Sequence, residues 1–348
     1  MSEALDLGEW GYFLITVSII FVIISFIFCV VATIQGIQEY RAKAAGDTDA
    51  NILRSQKWTL ILTISCMWSF TAINICDAVG LPHWFMNKDV QYDDWEEWEF
   101  NWEHSSRSYL MWNVFWAVAK FNLYLVYLYR IRVVSKQSKY SSSAPWESYV
   151  TLLVLMVAQF VCLVMWLWYY NISWYCCQIW ADNQWELLAA LAWAILSLDV
   201  LISALLIFLY IACMRKLIAS LPANALRMDT INVAGVTGGD KKDAVDPGDP
   251  SQGWQRQEAE LLQTATRLFV LGMVSFASSI LYQILFGVSI LEEFTGSHAH
   301  TALYYFTFTW NVDSTLNVLC LYLSLPVGKN LYRKLCRCDA CCLKLVQK

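Results

Sequence analysis

The sequence predicts an all-α membrane protein, a seven-transmembrane helix bundle with the N-terminus outside and the C-terminus in the cytosol. Three observations carry that expectation. Apolar residues gather in blocks long enough to cross a bilayer, aromatic residues are abundant, and basic residues fall on one side of the blocks. The chain is 58% hydrophobic and 15% charged, whereas soluble domains run near ~25% charged. Eighteen Trp, 18 Tyr and 17 Phe supply the rings that favour membrane–water interfaces. The net charge of −5 hides a strong asymmetry along the chain and says little by itself; no nucleic-acid partner is expected.

The blocks are Gly11–Gly36, Trp58–Gly80, Tyr109–Tyr129, Tyr149–Tyr170, Glu186–Cys213, Leu268–Leu291 and Thr301–Leu325. Each holds about 20 residues or more, sufficient for ~30 Å of hydrocarbon. Residues 1–10 then form an extracellular N-terminus, and 11–325 form the transmembrane domain. Residues 214–263 form a cytosolic loop that is largely disordered, and 326–348 a cytosolic tail. Of 24 Lys and Arg, 21 lie in the segments after spans one, three, five and seven. Lys88 and Arg107 lie on the other side, and Lys120 lies inside span three. Basic loops are retained in the cytosol, which fixes the orientation. The acidic N-terminus (Glu3, Asp6, Glu9) lacks a basic n-region, so the first span reads as an anchor.

Outside the spans, Leu81–Ser108 carries seven carboxylates, with Trp95, Trp98 and Trp102 spaced i, i+3, i+7. That spacing predicts a short helix lying on the outer leaflet, tryptophans down. Trp95, Trp98, Trp102, Glu103 and His104 are therefore the ligand-side candidates. The Gly-, Asp- and Pro-rich stretch Asp229–Gly253 has no periodicity and reads as disordered. All six prolines fall in loops or at span ends, so broken helices of the transporter kind are not signalled.

Ionisable groups inside spans are costly and mark function by default. They are Asp77, Lys120, Asp199 and Asp313, with Asn311, Ser314, Thr315 and Asn317 beside the last on span seven. Asp77, Lys120, Asp199, Asp313 and Asn317 form the expected intramembrane polar core. At ~1.5 Å per residue, Lys120 and Asp313 fall near mid-membrane, and Lys120 has two carboxylates at matching depth. A pair with Asp313 or with Asp199 would offset much of the desolvation cost. Such a pair suits either a structural lock or a polar switch and ion pocket.

All four histidines (His83, His104, His298, His300) lie on the outer side. No span thus holds a His for a catalytic metal, and no enzyme activity, metal or cofactor is expected. A Zn²⁺ or Ca²⁺ site beside the acidic loop competes with simple solvation of these rings. Among 12 cysteines, Cys76 could bridge to Cys176 or Cys177 on the oxidising side. Cys336, Cys338, Cys341 and Cys342 face the reducing cytosol in a basic juxtamembrane tail that suits acylation, with a small zinc knot as the alternative. The one glycosylation sequon, Asn171-Ile172-Ser173, sits against the end of span four.

Seven spans in this orientation resemble the G-protein-coupled receptor superfamily. Tyr129-Arg130 ends span three, where such receptors place an arginine that contacts the G protein. Asp313, Asn317 and Tyr322 resemble the Asn/Asp-Pro-x-x-Tyr region. Leu331, Tyr332 and Leu335 share one helical face, opposite Lys329, Arg333, Lys334 and Arg337, before the tail cysteines. That looks like the amphipathic eighth helix and its palmitoylated end. The chain departs from the family at three points. It has no cysteine opening span three, no acidic residue before Arg130, and no proline within spans five to seven. Asp313 and Asn317 also have the i, i+4 spacing of the aspartate and retinal lysine of microbial rhodopsins, but Asn317 cannot form a Schiff base.

The resemblance implies a plasma-membrane receptor that passes an extracellular signal, with a cationic or amine ligand suiting the acidic loop, to a cytosolic partner such as a G protein through Arg130. The competing expectations are a transporter or ion-conducting protein built on Lys120, Asp199 and Asp313, and an assembly protein without a ligand.

Overall fold

The computed structural model describes residues 7–45, 50–89, 95–137, 146–175, 183–220, 250–295 and 300–335. Within them the chain is helical: α1 (Leu7–Ala44), α2 (Ala50–Asp89), α3 (Trp95–Gln137), α4 (Trp146–Tyr175), α5 (Asn183–Ser220), α6 (Pro250–Thr295), α7 (His300–Ser324), a 3-10 turn at Pro326–Gly328, and α8 (Lys329–Leu335). Among the described residues, five segments are long and apolar enough to cross a membrane: Tyr12–Ala44, Gln56–Gly80, Glu147–Trp168, Ala190–Cys213 and Thr264–Leu285. These are parts of α1, α2, α4, α5 and α6. In α3, Asn113, Lys120 and Asn122 dilute the apolar run, and in α7 side chains are described only over 308–324, short of a full crossing.

Helix boundaries exceed the expected spans, for local reasons. The run opening at Trp95 is not a separate surface helix but continues to Gln137. No Gly or Pro interrupts those 43 residues, so nothing stops the helix. Likewise α6 starts at Pro250, inside the segment expected to be disordered. Proline suits the first helical position, and Ala259-Glu260-Leu261-Leu262-Gln263 continues with strong helix formers. The rest of the expected disordered stretch, and the tail beyond Leu335, lie outside the described residues. The short helix expected after span seven is present as α8, with Tyr332 buried and Lys334 exposed.

Side-chain contacts fix the directions. Ser18, Ser25 and Cys29 of α1 meet Asp77, Asn74 and Thr71 of α2, an antiparallel register. Asn311 and Thr315 of α7 meet Ser18 and Ser25 in the same order, so α7 runs parallel to α1. Ser275 and Ser279 of α6 meet Asn317 and Asp313, again antiparallel. Consecutive helices pack along one another, and α7 returns to α1 and α2, which closes the seven described long helices into one bundle.

The packing is inside-out relative to a soluble domain. Asn74, Asp199 and Asn317 are fully buried, while Ile20, Phe26, Phe160, Trp168 and Phe208 face outward. On α4 the buried residues Leu152, Met156, Gln159, Leu163 and Trp166 form one stripe at alternating four- and three-residue spacing, and Leu153, Val154, Val157, Val161 and Val164 turn out. An apolar exterior around a polar interior needs a hydrocarbon solvent. The chain is a multi-pass helical membrane protein in contact with lipid. Buried hydroxyls satisfy themselves partly within their own helices, as Thr63 does by donating to the Thr59 carbonyl at 2.7 Å, Ser69 to Ser65 at 2.9 Å and Thr71 to Met67 at 3.0 Å.

Beyond α7 the backbone turns sharply. A Cβ on Gly328 would stand 2.4 Å from the Tyr322 carbonyl oxygen and 2.6 Å from the Leu323 Cα. Both are backbone atoms that cannot step aside. Gly328→Ala should therefore lower stability by about 1–3 kcal/mol, read as a lower melting temperature of the detergent-solubilised protein. An unchanged melting temperature would show that the turn can open there.

Candidate functional site

The polar interior is built from three clusters. In the first, α1, α2 and α7 contribute one residue each to two hydrogen-bonded triangles. Asn311 donates to Asp77 at 2.5 Å and to Ser18 at 3.0 Å, and Ser18 donates to Asp77 at 3.2 Å. Next along the bundle, Asn74 donates to Ser25 at 3.0 Å and to Thr315 at 3.3 Å, with Ser25 and Thr315 3.2 Å apart. The Thr71 hydroxyl proton is directed to Met67, so at the 3.0 Å contact below the triangles the Cys29 thiol is the donor.

The second cluster answers which carboxylate Lys120 meets. Its ammonium stands 3.3 Å from Asp199 Oδ2, and Gln159 of α4 donates to the other oxygen at 3.4 Å. Helices α3, α4 and α5 are thereby tied through one carboxylate that is fully buried. Pairing is what makes such burial tolerable, since an isolated charge there would be far costlier.

Asp313, the other expected partner, is held differently. It accepts from Ser278, from Ser279 at 3.1 Å and from Asn317 Nδ2 at 3.0 Å. Asn317 also donates to the Asp313 carbonyl at 2.9 Å and accepts from Ser275. This third cluster joins α6 to α7. Lys120 lies within Coulomb range of Asp313 as well, and Asp313 within range of Asp199. The ammonium makes its direct contact with Asp199 alone and meets Asp313 only at longer range.

Beside these charges sits an aromatic layer. The Trp310 ring centroid lies 3.9 Å from that of Trp112, 6.5 Å from Trp116 and 4.4 Å from Tyr282, edge-on to the last. Helices α3, α6 and α7 meet there, one to two turns from Lys120 and Asp313 toward the end of the bundle that carries the N-terminus.

At the opposite end Arg130 is not on the surface, as a residue at the centre of exposed basic loops would be. It is 5% exposed and donates to Thr63 of α2 at 3.1 Å. Because Thr63 commits its own proton to Thr59, its oxygen presents a lone pair to the guanidinium. Arg267 belongs by sequence to the cytosolic loop, but here it is buried in α6, donating to the Ser324 carbonyl at 3.4 Å.

Of the expected polar core, Lys120, Asp199, Asp313 and Asn317 are buried and Asp77 is half-buried, spread over the three clusters: Asp77 in the first, Lys120 and Asp199 in the second, Asp313 and Asn317 in the third. Sequence reasoning missed Ser18, Ser25, Asn74, Gln159, Ser275, Ser278, Ser279 and Arg267. The legible signal was helical spacing: Ser18/Ser25 at i, i+7, Asn74/Asp77 at i, i+3, and Ser275/Ser279/Gln283 at i, i+4, i+8. Trp95, Trp98, Trp102, Glu103 and His104 lie on the first turns of α3, and nothing further is described of their side chains. Cys76 is a free thiol, while Cys176, Cys177, Cys336, Cys338, Cys341 and Cys342 lie outside the described residues. Among the described residues no three His, Cys, Asp or Glu side chains come together to hold a metal.

No family model, curated protein or solved structure matches the chain.

Proposed function

We propose that this protein is a seven-helix receptor of the plasma membrane, with its N-terminus outside, that passes an extracellular signal to a cytosolic partner such as a G protein. In this reading α3 and α7 are spans as well. They are 43 and 25 residues long, and both pack among the five apolar helices. The observation that carries the reading is the two-faced polar helix α7. Asn311 and Thr315 bind α1 and α2, while Asp313 and Asn317 bind α6. A shift of α7 rearranges both contacts at once, and the seam they form continues to Thr63 and Arg130 at the cytosolic end. Discrete hydrogen-bonded arrangements of this kind suit a two-state element. The acidic segment 81–108 suits an amine-bearing ligand, and Arg130 engages the partner once the bundle loosens around it. No chemistry on substrate is part of the reading.

The test is expression in intact cells with tags at residues 2 and 348, followed by nucleotide exchange on co-expressed G proteins during an amine panel. The expected result is an exposed first tag, a protected second tag and agonist-dependent exchange that Arg130→Ala abolishes. A C-terminal tag accessible in unpermeabilised cells sinks the orientation, and ligand binding without exchange on any G protein sinks that coupling.

A transporter or ion-conducting protein is the second reading, favoured by Gln283. This buried amide on α6, one turn from Ser279, has no partner for either Nε2 or Oε1 among the described residues, and Asn74 Oδ1 has none either. Orphaned polar atoms beside a carboxylate pair with one ammonium suit water or a small cation. Cation flux into proteoliposomes that Asp313→Asn abolishes would select it.

A further inference from the structure

We propose that the outer groove between α2 and α3 binds a second copy of this chain, with the two Asn122 amides pairing across a two-fold axis inside the membrane. The Asn122 amide of α3 donates to the Ser65 hydroxyl of α2 at 3.1 Å, on the outside of the bundle. Asn122 is half-buried and Ser65 is exposed. Ser65 belongs to the apolar segment Gln56–Gly80, nine residues from one end and 15 from the other. At ~1.5 Å per residue the pair therefore lies about 14 and 22 Å from those ends. That is hydrocarbon depth, where neither water nor a lipid headgroup supplies hydrogen bonds.

Outward-facing hydroxyls elsewhere in the bundle meet this problem within their own helices. Thr16 donates to the Tyr12 carbonyl at 2.8 Å and Thr151 to the Glu147 carbonyl at 2.8 Å, the usual recourse of a hydroxyl in lipid. An amide has more to satisfy: two N–H groups and an acceptor oxygen. One N–H of Asn122 goes to Ser65. Among the described residues nothing takes the other, and nothing donates to its Oδ1. What remains is a donor and an acceptor on one planar group, a set complementary to itself. Copies of a membrane protein share one orientation, so a two-fold axis between them stands along the membrane normal and each residue meets its counterpart at equal depth. Oδ1 of each Asn122 then accepts from Nδ2 of the other, the kind of bond that joins helices in lipid. A different protein would have to carry an amide at this depth, whereas a second copy carries one by symmetry. The surface around the amide fits the same partner. Met111, Val114, Val118 and Phe121 are exposed on α3 at three-, four- and three-residue spacing, with Trp58 and Ile61 exposed on α2. That spacing is the seam of two parallel helices crossing left-handed. Such a stripe also suits lipid; the amide does not, and it singles out this face.

The inference rests on neither functional reading, because only association is measured. Full-length protein carrying a fluorescent donor or acceptor on a tag after Lys348 is reconstituted, both forms together, in phosphatidylcholine liposomes. Energy transfer is followed as the protein-to-lipid ratio is lowered. The expected result is a saturable monomer–dimer isotherm. Asn122→Leu removes both amide bonds of the dimer and should weaken the association about tenfold, without lowering the melting temperature of the detergent-solubilised protein. Ser65→Ala frees an Asn122 N–H and should leave association as tight as in the wild type or tighter. Val118→Trp disturbs the seam without touching a polar group and should weaken it as well, whereas Val154→Trp, on the outward face of α4, should not. If Asn122→Leu does not fold, Val118→Trp against Val154→Trp decides. Transfer no greater than that of randomly mixed monomers overturns the proposal. So does a wild-type isotherm in a folded Asn122→Leu variant, or equal weakening by Val118→Trp and Val154→Trp.

Discussion

Lys120→Met is expected to destabilise the detergent-solubilised protein by about 3–5 kcal/mol, the loss that follows when one member of a buried ion pair is removed and the other stays behind. Among the described residues, Asp199 would then keep only the Gln159 amide at 3.4 Å against its full desolvation. Asp199→Asn should cost a comparable amount, because it strands the ammonium. The double variant should recover much of either loss, and that non-additivity is the signature of direct contact. A second cycle, Lys120→Met against Asp313→Asn, should show weaker coupling. Asp313 has three side-chain donors of its own and meets Lys120 only at longer range. Additive losses in the first cycle would mean that water or backbone carbonyls satisfy Lys120, and equal coupling in both would mean that the ammonium is shared.

Trp310→Ala should cost about 3–5 kcal/mol as well, for a different reason: it empties the volume of a large, nearly fully buried ring. Trp112, Trp116 and Tyr282 all pack against that ring, so three helices lose a shared contact and the space cannot be closed by one of them moving. Trp310→Phe keeps an aromatic face and should lose far less. The check is the melting temperature of each variant in one detergent. A loss under about 1 kcal/mol for the alanine variant, well below the usual range for such truncations, would show that the neighbouring rings collapse into the gap.

Much of the fold was legible because hydrocarbon length leaves a plain mark on sequence. The apolar runs located α1, α2, α4, α5 and α6, and the same logic weakened at α3 and α7, where polar side chains face inward. Local helix ends were harder to read. Nothing in the composition of the acidic Trp-rich segment told whether its helix would stop before span three or fuse with it; only the absence of Gly and Pro from Trp95 to Gln137 bore on that. For the site, the four intramembrane ionisable residues stood out by their cost. Which carboxylate meets Lys120 did not, because depth follows from counting residues whereas azimuth around the bundle depends on how helices pack. Neutral partners such as Gln159 and Ser279 carry little cost individually, and only their spacing betrayed them. Arg267 was misplaced for the same reason that basic residues are good topology markers: near a span end they read as loop, even when the helix extends past them and buries them.

The inverted arrangement of polar interior and apolar exterior also bears on what unfolding would measure. In a soluble domain, melting brings core hydrocarbon into water, and the resulting rise in heat capacity curves stability against temperature. Here Ile20, Phe26, Phe160 and Trp168 already face the hydrocarbon solvent, so separating the helices within a bilayer transfers little of that surface to water. The helices are held instead by packing and by hydrogen bonds such as those on Asp77 and Asp313, whose strength does not derive from hydration of apolar groups. The heat-capacity change of helix dissociation should accordingly be small for a chain of this size. Its stability then declines almost linearly on warming, without the cold-side weakening that water imposes on soluble cores.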